Sequence, residues 1–348
     1  MRERDGADRR LRLEELDEPL VSVVVCAHNN AGCIRQCLEG LAQSDYRRLQ
    51  TIVFDDASDD DTLRIAEAGL ARVPGASLLL RSEKNQGFVR ACNEASLRAR
   101  GQVLLLLNSD AIVYPGAIGA LARALRDDTR IGAAGCMIHE PDGRTIQSVG
   151  NRLAPNALGK AIGHGEEDRG QHDQAADCDY ATGAALAIRT DLWFAMGGFD
   201  EDFAPAYYED VDLCLRLRAR GYRVRTIPAA KVVHLSGQSY GAGTWRFIEL
   251  SLKNRIRLLV KHWTRPRFFF GALPYEVWWL ASWRSKRYRR ASIRGYWTGL
   301  RQMGLGLVRS IGLARPIPLA VRRARLLRAG ETEKGPSPFF PNRPSPSG

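Results

Sequence analysis

A carboxylate at the end of a buried run is the first candidate for chemistry in this sequence. Five apolar residues, Val103 to Leu107, are followed at once by Asn108, Ser109 and Asp110. Such a run is typical of a fully buried strand, and open α/β sheets bind ligands just beyond the carboxyl ends of their strands. Asp110 is therefore placed to hold a divalent cation and, through it, a diphosphate. The alternative is that Asn-Ser-Asp only turns the chain and caps the helix after Pro115.

Two earlier strand ends carry polar residues as well. The predicted strand Leu20–Cys26 runs into Ala27-His28-Asn29-Asn30, and the predicted strand Thr51–Phe54 runs into Asp55-Asp56. A carboxylate at such an edge is suited to accept hydrogen bonds from a base N–H or from ribose hydroxyls. Ordinary turn and capping chemistry is the alternative for both ends.

The acidic tetrapeptide Glu209-Asp210-Val211-Asp212 is a second chemical centre. Acids in a first helical turn favour the helix dipole, which is the structural explanation for them. One or two acids would satisfy a dipole, however, whereas three crowd like charges. Val211, Cys214 and Leu215 form an inward stripe, and Tyr207-Tyr208 supply aromatic walls. Crowding and partial burial raise the pKa of a carboxylate and make it a better base.

The turn Gly197-Gly198-Phe199-Asp200 could bring backbone close to a ligand, because glycine permits close approach or positive φ. Asp200 is then a candidate for binding a ligand hydroxyl. A simple tight turn is the alternative interpretation.

Alternating strands and helices must position these residues. The helix Ala31–Leu41 carries Ile34, Cys37, Leu38 and Leu41 on one face, and Asn85-Gln86-Gly87 opens another helix that is predicted to reach Arg100. This alternation predicts an α/β fold with right-handed βαβ crossovers and a largely parallel sheet covered on both faces. Residues 139–178 are predicted to form a long irregular segment with one hairpin. Further along the chain, short strands are predicted at Arg223–Ile227 and Lys231–His234.

Charge divides the chain into a mildly acidic body and a basic segment. Residues 1–239 carry 29 basic and 35 acidic residues, a net −6, whereas residues 240–330 carry 20 basic and two acidic residues, a net +18. We therefore predict a charged N-terminal tail over 1–19, a catalytic domain over 20–240, a basic aromatic helical segment over 241–330 and a disordered Pro/Ser-rich tail over 331–348. The seven cysteines show no paired zinc-type spacing and lie in apolar patterns, which is typical of reduced cysteine in a cytosolic protein. No apolar signal core precedes residue 19.

Aromatic residues and cations are interleaved from Arg265 onward. The run Phe268 to Trp283 is interrupted by Pro274 and Glu276, too short and too polar for a membrane span, and five cations follow it between residues 284 and 290. This pattern favours an interfacial segment that contacts an anionic membrane on its cytoplasmic face. The alternative is a helical subdomain packed on the catalytic body. Nucleic acid is not an expected partner, because no recognised binding motif accompanies the charge.

Seven segments in order resemble those of the family 2 glycosyltransferases with the GT-A fold, a Rossmann-like, mostly parallel sheet with helices on both faces. The resemblance covers about Leu20 to Ser239, and within the family it is strongest to the rhamnosyltransferase-like branch, whose metal strand ends in Leu-Asn-x-Asp. The matching segments are VSVVVCAHNN, TIVFDDASDDDT, NQGFVRACNEA, VLLLLNSDAIVYPGAI, TGAALAIRTDLWFAMGGFDEDF, YYEDVDLCLRLRARGYRV and AAKVVHLSGQS.

The resemblance implies roles for individual residues. Asp210 resembles the catalytic base, with Glu209 in support and Asp212 structural; Asp110 resembles the metal-binding aspartate, with His234 completing the site for Mg²⁺ or Mn²⁺. Asn108 departs from the fuller acidic motif and cannot supply an anionic ligand. The predicted donor-binding residues are Ala27, His28, Asn29, Asp55, Asp56, Asn85, Gly87, Asn108, Ser109, Gly183, Gly198 and Asp200.

The resemblance as a whole implies an inverting, metal-dependent hexosyltransferase. Its expected partners are a nucleotide-diphospho-sugar, with dTDP-L-rhamnose as the leading donor, and a lipid-linked or cell-surface glycan as acceptor. The alternative, which the departure at Asn108 supports, is a catalytically silent module that binds nucleotide-sugars or anchors an assembly at the membrane. A nucleotidyltransferase would share the metal chemistry, but the sequence shows no evident Gly-rich phosphate loop near its N-terminus.

Overall fold

A mixed α/β sheet forms the body of the molecule. The computed structural model describes residues 18–235, 244–282, 295–298 and 319–328, so that the predicted tails lie outside the described residues except for residues 18 and 19. The strands are β1 (Val21–Ala27), β2 (Leu49–Asp55), β3 (Ala76–Arg81), β4 (Val103–Asn108), β5 (Ala111–Val113), β6 (Ile131–His139), β7 (Ile146–Ser148), β8 (Asn151–Leu153), β9 (Gly159–Ala161), β10 (Ala176–Asp177), β11 (Ala185–Arg189) and β12 (Arg223–His234).

Helices connect most of the strands. In chain order they are α1 (Ile34–Ala42), α2 (Thr62–Leu70), α3 (Phe88–Ser96), α4 (Ala117–Asp127), α5 (Thr190–Met196), α6 (Glu209–Ala219), α7 (Trp245–His262), α8 (Leu273–Ser282) and α9 (Leu319–Arg328). A 3₁₀ turn spans Glu201–Phe203, and the short helix Arg265–Arg267 continues through a π-helical turn, Phe268–Ala272, into α8.

The main sheet is mostly parallel, as the alternation of elements predicts. Its strand order is β10-β12-β6-β11-β4-β1-β2-β3, with β5 paired to β12 and β7 paired to β6. The pairs β1–β2, β2–β3, β1–β4 and β6–β12 are parallel, whereas β11 lies antiparallel between β4 and β6. The carboxyl ends of β1, β2 and β4 therefore lie together at one edge of the sheet.

Apolar side chains cover both faces of this sheet. On one face β1 and β4 pack against α1, α2 and α4, and Ile34, Cys37, Leu38 and Leu41 of α1 are all buried, as their spacing predicts. On the other face the core is built with α3, α5, α6 and the end of α7. All seven cysteines are buried and unpaired by disulfides. The fold is thus the predicted layered one, with the sheet fixed between two helical layers.

Three local predictions are corrected. The helix that begins after Gly87 ends at Ser96 and not at Arg100, because the amide of Arg100 donates to the side chains of Gln50 and Ser22. The two strands expected after Arg223 form a single strand, β12, with a register shift between Ile227 and Lys231. The excursion 139–178 contains the expected hairpin, β8–β9, and also the short strands β7 and β10.

The described part of the basic segment packs on the body of the protein. Leu252, Ile256, Leu258 and Leu259 of α7 are buried. None of the helices described here is both long and apolar enough to cross a membrane.

Candidate active site

The three predicted strand ends meet at one edge of the sheet. Ala27 at the end of β1 pairs with Asp55 at the end of β2, and Cys26 pairs with Asn108 at the end of β4. The parallel register of these strands is what brings residues about 30 and 80 positions apart along the chain to the same level. This edge is where ligands bind in open α/β sheets.

A cavity of about 890 Å³ opens at this edge. Its volume lies within the range of small-molecule sites. Six of the residues predicted to bind the donor line it, namely Ala27, His28, Asn29, Asp56, Asn85 and Gly87. Cys26, Asn30, Gln86, Phe88, Ala91, Pro205, Thr244, Trp245 and Arg246 complete the lining.

Asp56 shapes the wall of this cavity. Its carboxylate accepts hydrogen bonds from the backbone amides of Gln86 (3.0 Å) and Gly87 (2.8 Å), and Asn85 Oδ1 accepts a second bond from the Gly87 amide at 3.0 Å. Burial raises the pKa of Asp56, while these amide donors lower it. Gly87 adopts φ +85°, and a Cβ there would lie 2.6 Å from Pro205, so only glycine fits at this point.

Asp55, at the end of β2, is fully buried and does not line the cavity. Its Oδ2 accepts from the Ser58 amide at 3.3 Å and lies 3.4 Å from Arg81 Nε. Its Oδ1 has no hydrogen-bond partner within the described part of the chain. A buried carboxylate oxygen without a partner is an acceptor that a ligand or an ordered water would satisfy.

The strand β5 brings Asp110 and His234 together. Because β5 pairs antiparallel with the end of β12, His234 lies opposite Ala111, and the Leu235 amide donates to the Asp110 carbonyl at 2.9 Å. His234 Nε2 then lies 3.2 Å from Asp110 Oδ1 and 3.4 Å from Asn108 Nδ2. Asp110 is 3 % exposed, and Oδ1 makes no hydrogen bond of good geometry to any residue that the structure describes.

A hydrogen bond on the far side of the ring fixes the orientation of His234. Nδ1 lies 2.8 Å from Gln147 Oε1, and Gln147 in turn donates from Nε2 to Glu140 at 3.2 Å. An amide oxygen at Nδ1 accepts from an Nδ1–H, so that Nε2 is the ring nitrogen that faces Asp110.

The acids of α6 lie at the same edge. Asp210 Oδ2 accepts from the Gly183 amide at 2.8 Å, and Oδ1 accepts from the Val211 amide at 2.7 Å. The residue after Gly183, Ala184, accepts from the Asn108 amide at 2.9 Å. Asp210 is therefore tied to the chain directly beside the end of β4, where the Asn108–Asp110 turn begins.

Burial governs the protonation of Asp210 and Glu209. Burial raises the pKa of Asp210, against the lowering effect of the two amide donors. Glu209 is 5 % exposed, and both its burial and the charge of Asp210 raise its pKa well above the usual value for glutamate. Its Oε2 has no hydrogen-bond partner among the described residues. Asp210 is thus half-buried, and Glu209 is the more deeply buried of the two residues.

Sequence comparison identifies the family. A sequence model of "Glycosyltransferase like family 2" matches residues 19–258, which is more than half of the chain. The chain belongs to this family. Solved GT-A structures share its fold: GalNAc-T7 with UDP, GalNAc and Mn²⁺ has a TM-score of 0.60 at 16 % identity, covering 85 % of this chain and 58 % of that one. The mannosyltransferase PcManGT of Pyrobaculum calidifontis, with GDP-Man and Mn²⁺, has a TM-score of 0.52 at 20 % identity and covers 91 % and 80 %.

Curated relatives match mainly over the same region. A protein of Sinorhizobium fredii, y4gI, is 28 % identical over 64 % of this chain, and the O-antigen biosynthesis protein RfbC of Myxococcus xanthus is 27 % identical over 65 % of it. This chain spans only 25 % and 18 % of those two relatives. The N-acetylglucosaminyl-diphospho-decaprenol L-rhamnosyltransferase of Mycobacterium tuberculosis is 25 % identical over 64 % of this chain and 78 % of its own length.

The structure places two predicted donor-binding residues elsewhere. Gly198 and Asp200 line a separate cavity of about 430 Å³ that shares no lining residue with the first. A Cβ on Gly198 would lie 2.6 Å from Asn93 Oδ1, and Asp200 Oδ2 pairs with Lys261 at 2.6 Å. Gly198 and Asp200 thus contact α3 and α7 and do not line the cavity at the strand edge.

Three further predicted residues lie at the edge without lining the cavity. Asn108 contacts His234, Ser109 is buried, and Gly183 binds Asp210 through its amide. Gly183 is not required sterically, since a Cβ there would make only an ordinary contact at 3.6 Å. Their role in the site is to connect the acids, which the sequence pattern does not reveal.

Residues of α7 were missed by the sequence analysis. Thr244, Trp245 and Arg246 line the same cavity as Asp56, although they lie beyond the expected boundary at residue 240. The family match also continues to residue 258. No sequence motif marks these residues, because their position depends on the packing of α7 against the body.

Asp212 is used in packing, as expected. It is fully buried and lies 2.7 Å from Arg216 Nε, Lys261 Nζ and His262 Nε2. The hydrogen bond from His262 and the charges of Arg216 and Lys261 hold its pKa well below the usual value for aspartate, in spite of the burial. Asp212 thus joins α6 to α7 and has no free oxygen for chemistry.

Proposed function

We propose that the protein is an inverting, metal-dependent hexosyltransferase that moves a sugar from a nucleotide-diphospho-sugar to an alcohol acceptor. The observation that carries the proposal is the chain of contacts Asp210–Gly183–Ala184–Asn108, which holds the Asp210 carboxylate beside the strand end that leads to Asp110 and so supports its role as the base. Family membership supports the reaction class.

Asp210 is the general base in this proposal. Burial raises its pKa, which makes it a stronger proton acceptor than an ordinary aspartate. As the acceptor oxygen attacks the anomeric carbon, its proton passes to the Asp210 carboxylate and the sugar–phosphate bond breaks. One displacement on one face inverts the anomeric centre. Glu209, which precedes Asp210 in the first turn of α6, is the proposed supporting acid, and the charge of Asp210 raises its pKa.

Asp110 and His234 fit a divalent cation. An orphaned buried carboxylate oxygen facing an imidazole nitrogen is a donor set that Mg²⁺ or Mn²⁺ accepts, and Gln147 fixes the imidazole as such partners do in metal sites. Within the described residues no group of three or more His, Cys, Asp or Glu side chains is arranged for a metal. The remaining ligands would be phosphate oxygens and water. When bound, such an ion neutralises charge that develops on the departing diphosphate.

The large cavity is the proposed donor site. Asp55 Oδ1 is the buried acceptor for a base N–H or a ribose hydroxyl, and Asp56 holds the Gln86–Gly87 amides in place around it. Trp245 and Arg246, which also line the cavity, supply an aromatic surface and a cation, which suit a base or sugar face and a diphosphate.

L-Rhamnose from dTDP-L-rhamnose is the proposed sugar, and a lipid-linked or cell-surface glycan is the proposed acceptor. Support comes from the Mycobacterium tuberculosis relative, whose name specifies L-rhamnosyl transfer to a decaprenol-linked N-acetylglucosamine. The Leu107-Asn108-Ser109-Asp110 strand end, which resembles the rhamnosyltransferase-like branch, supports the same choice.

An exposed aromatic face supports contact with the cytoplasmic face of an anionic membrane, where a lipid-linked acceptor would lie. Phe269, Phe270, Val277 and Trp278 are all more than half exposed, and Phe270 is 85 % exposed. Such side chains insert at the level of lipid headgroups when cations accompany them. Residues 240–330 carry the net charge of +18, although the cluster between 284 and 290 lies outside the described residues.

Vesicle binding tests this surface. We expect the full-length protein to sediment with phosphatidylcholine vesicles that contain phosphatidylglycerol, and to be released by salt because the cationic contribution is screened. Replacing both Phe270 and Trp278 with Ser should weaken partitioning by about tenfold or more. Tyr114→Ser, at an exposed aromatic residue elsewhere, serves as the control. Equal binding by the double variant would remove this face as the membrane contact.

A donor assay tests the reaction itself. The protein should release nucleoside diphosphate from one member of a panel of nucleotide-sugars with Mg²⁺ or Mn²⁺ present, and faster with a polyprenyl-diphosphate-linked acceptor. Binding without release or transfer for every donor and acceptor would favour the catalytically silent module instead.

Asp110→Ala should abolish the metal dependence of nucleotide binding. We expect the affinity for the nucleoside diphosphate with Mn²⁺ to fall by about tenfold or more, because a ligand of the ion is lost. Affinity measured with EDTA should not change. Calorimetric titration with and without the ion checks this, and a metal effect of wild-type size in the variant would exclude Asp110 as a ligand.

A further inference from the structure

One turn of the chain joins the proposed donor cavity to the proposed base. This turn, residues 203–208, begins at the end of the 3₁₀ helix, contributes Pro205 to the cavity wall and leads directly into Glu209 and Asp210. The Pro205 carbonyl accepts from the amide of Val89 at 3.1 Å. The position of Asp210 therefore depends on how the end of this turn is held.

The end of the turn has a backbone conformation that its residues disfavour. Tyr207 has φ +80° and Tyr208 has φ +70°, in the left-handed region where a Cβ clashes with the backbone. Such residues keep this conformation only where the surroundings impose it, and they cluster at functional sites. Something outside the turn must therefore hold it.

Asn254 of α7 supplies that contact. Its Nδ2 lies 2.7 Å from the carbonyl oxygen of Phe203, 2.9 Å from that of Ala206 and 2.8 Å from that of Tyr207. The side chain is fully buried. The two N–H bonds of the Asn254 amide are shared among these three carbonyl oxygens. A single side chain on α7 therefore holds both ends of the 203–208 turn.

Lys253 holds the middle of the same turn. Its Nζ donates to the Ala204 carbonyl at 3.0 Å, and the residue is 6 % exposed. Burial lowers the pKa of Lys253 to about 8. A buried ammonium is unfavourable unless it is well bonded, so this contact also depends on the turn being in place.

We propose that Asn254, assisted by Lys253, is a positioning residue for the base: it holds the 203–208 turn so that Asp210 stays beside the Asn108–Asp110 strand end. The proposal rests on the proposed transferase function. Asn254 does not reach the site itself and acts through the backbone carbonyls of Phe203, Ala206 and Tyr207. The helix α7, outside the expected catalytic domain, is thereby part of the catalytic apparatus.

If the proposal is correct, loss of Asn254 lowers the rate of turnover but leaves donor binding intact. Pro205 keeps its own anchor on Val89 and its packing against Gly87 when Asn254 is lost. The donor wall should therefore persist, while Tyr207, Tyr208 and the start of α6 are released. A displacement of about 1 Å at a reacting group can lower the rate by about a hundredfold.

Asn254→Ala, compared with Asn93→Ala, is the test. Asn93 is equally buried and also spans a turn, exchanging hydrogen bonds of 2.9 Å with both backbone groups of Phe199. Both variants should lose thermal stability. Only Asn254→Ala should lower kcat, by about ten- to a hundredfold, with nucleoside diphosphate affinity retained and faster amide hydrogen exchange over 203–210. A folded Asn254→Ala protein with wild-type kcat and exchange would overturn the proposal.

If Asn254→Ala does not fold, Lys253→Met tests whether α7 holds the 203–208 turn. Methionine fills a similar volume without a buried charge, so the fold should persist while the contact with Ala204 is lost. We expect kcat to fall by about three- to tenfold and exchange over 203–210 to increase; unchanged values of both would overturn the proposal. If the wild-type protein transfers no sugar, the proposed function fails, whereas the exchange experiment still shows whether α7 orders the turn.

Discussion

Asp210→Asn should lower sugar transfer by about 10²–10⁴-fold, the range expected for the loss of a general base. The substituted amide cannot accept the acceptor proton at neutral pH, but its oxygen can still accept from the Gly183 amide. Donor affinity should therefore change little. The measurement is kcat together with the dissociation constant for the nucleoside diphosphate.

Asp191→Asn is the matched control. Asp191 also lies in the first turn of a helix, and its Oδ1 accepts from the following amide at 2.7 Å, as Asp210 Oδ1 does. Its turnover should equal that of the wild-type protein. Full transfer by Asp210→Asn would remove Asp210 as the base, whereas loss of donor binding together with turnover would indicate a folding defect.

The pH dependence of sugar transfer also tests the role of Asp210 as the base. Burial raises the pKa of Asp210. Below that pKa the carboxyl is protonated and cannot accept a proton, so transfer should fall as the pH is lowered through it. Because the shift is upward, this acid limb should lie above the ordinary aspartate value of 3.8. The limb should be absent from the residual activity of Asp210→Asn.

Glu276→Ala should destabilise the fold by about 3–5 kcal/mol, the effect of breaking a buried ion pair by removing one partner. Glu276 forms a two-point pair with Arg255, at 2.8 and 2.6 Å, and accepts from Asn156 Nδ2 at 2.6 Å. Arg255 is 1 % exposed, so its charge would be left without this counterion in a buried position. Thermal unfolding should shift by roughly 10 °C for a chain of this size.

Two further variants serve as references for the unfolding shift of Glu276→Ala. Asp61→Ala removes an exposed pair with Arg64, whose side chains are 64 % and 71 % exposed, and should cost about 0–1 kcal/mol. Replacing Arg255 and Glu276 together with Leu should recover much of the loss, because no charge is then buried. A shift for Glu276→Ala as small as that for Asp61→Ala would mean that α8 does not pack on α7 in solution.

The residues at the strand edge were predictable because the sequence pattern of each strand marks where it ends. Each apolar run ends in polar residues, and parallel strands bring their carboxyl ends to one edge. Ala27, Asp55 and Asn108 lie there for that reason. The pairing of Asp110 with His234 depends in addition on β5, a three-residue strand that no periodicity could reveal.

Positions that depend on long-range packing could not be predicted from the sequence. Gly198 and Asp200 belong to a glycine turn of the type that approaches ligands, but they contact Asn93 and Lys261 and line another cavity. Trp245 and Arg246 line the proposed donor cavity because α7 packs on the body. Its anchors join residues about 50 and 100 positions apart along the chain, such as Asn254 with Phe203 and Arg255 with Asn156.

The boundary at residue 240, which was predicted from net charge, does not coincide with a break in packing. The basic composition after residue 240 suggests a separate role, yet Lys253, Arg255 and Lys261 of α7 bond to Ala204, Asn156 and Asp212 of the body. Net charge reports on partners and solubility and not on domain boundaries. We infer that α7 belongs to the catalytic unit, and that any membrane contact begins after it.

The most direct test of the central claim is a crystal structure with Mn²⁺ and an intact nucleotide-sugar bound to Asp210→Asn. The anomalous signal of manganese should lie within coordination distance of Asp110 and His234, at about 2.0–2.2 Å. The nucleotide should occupy the 890 Å³ cavity, and the anomeric carbon should lie between the ion and residue 210. A manganese ion bound elsewhere, or a sugar whose anomeric carbon faces away from residue 210, would contradict the account.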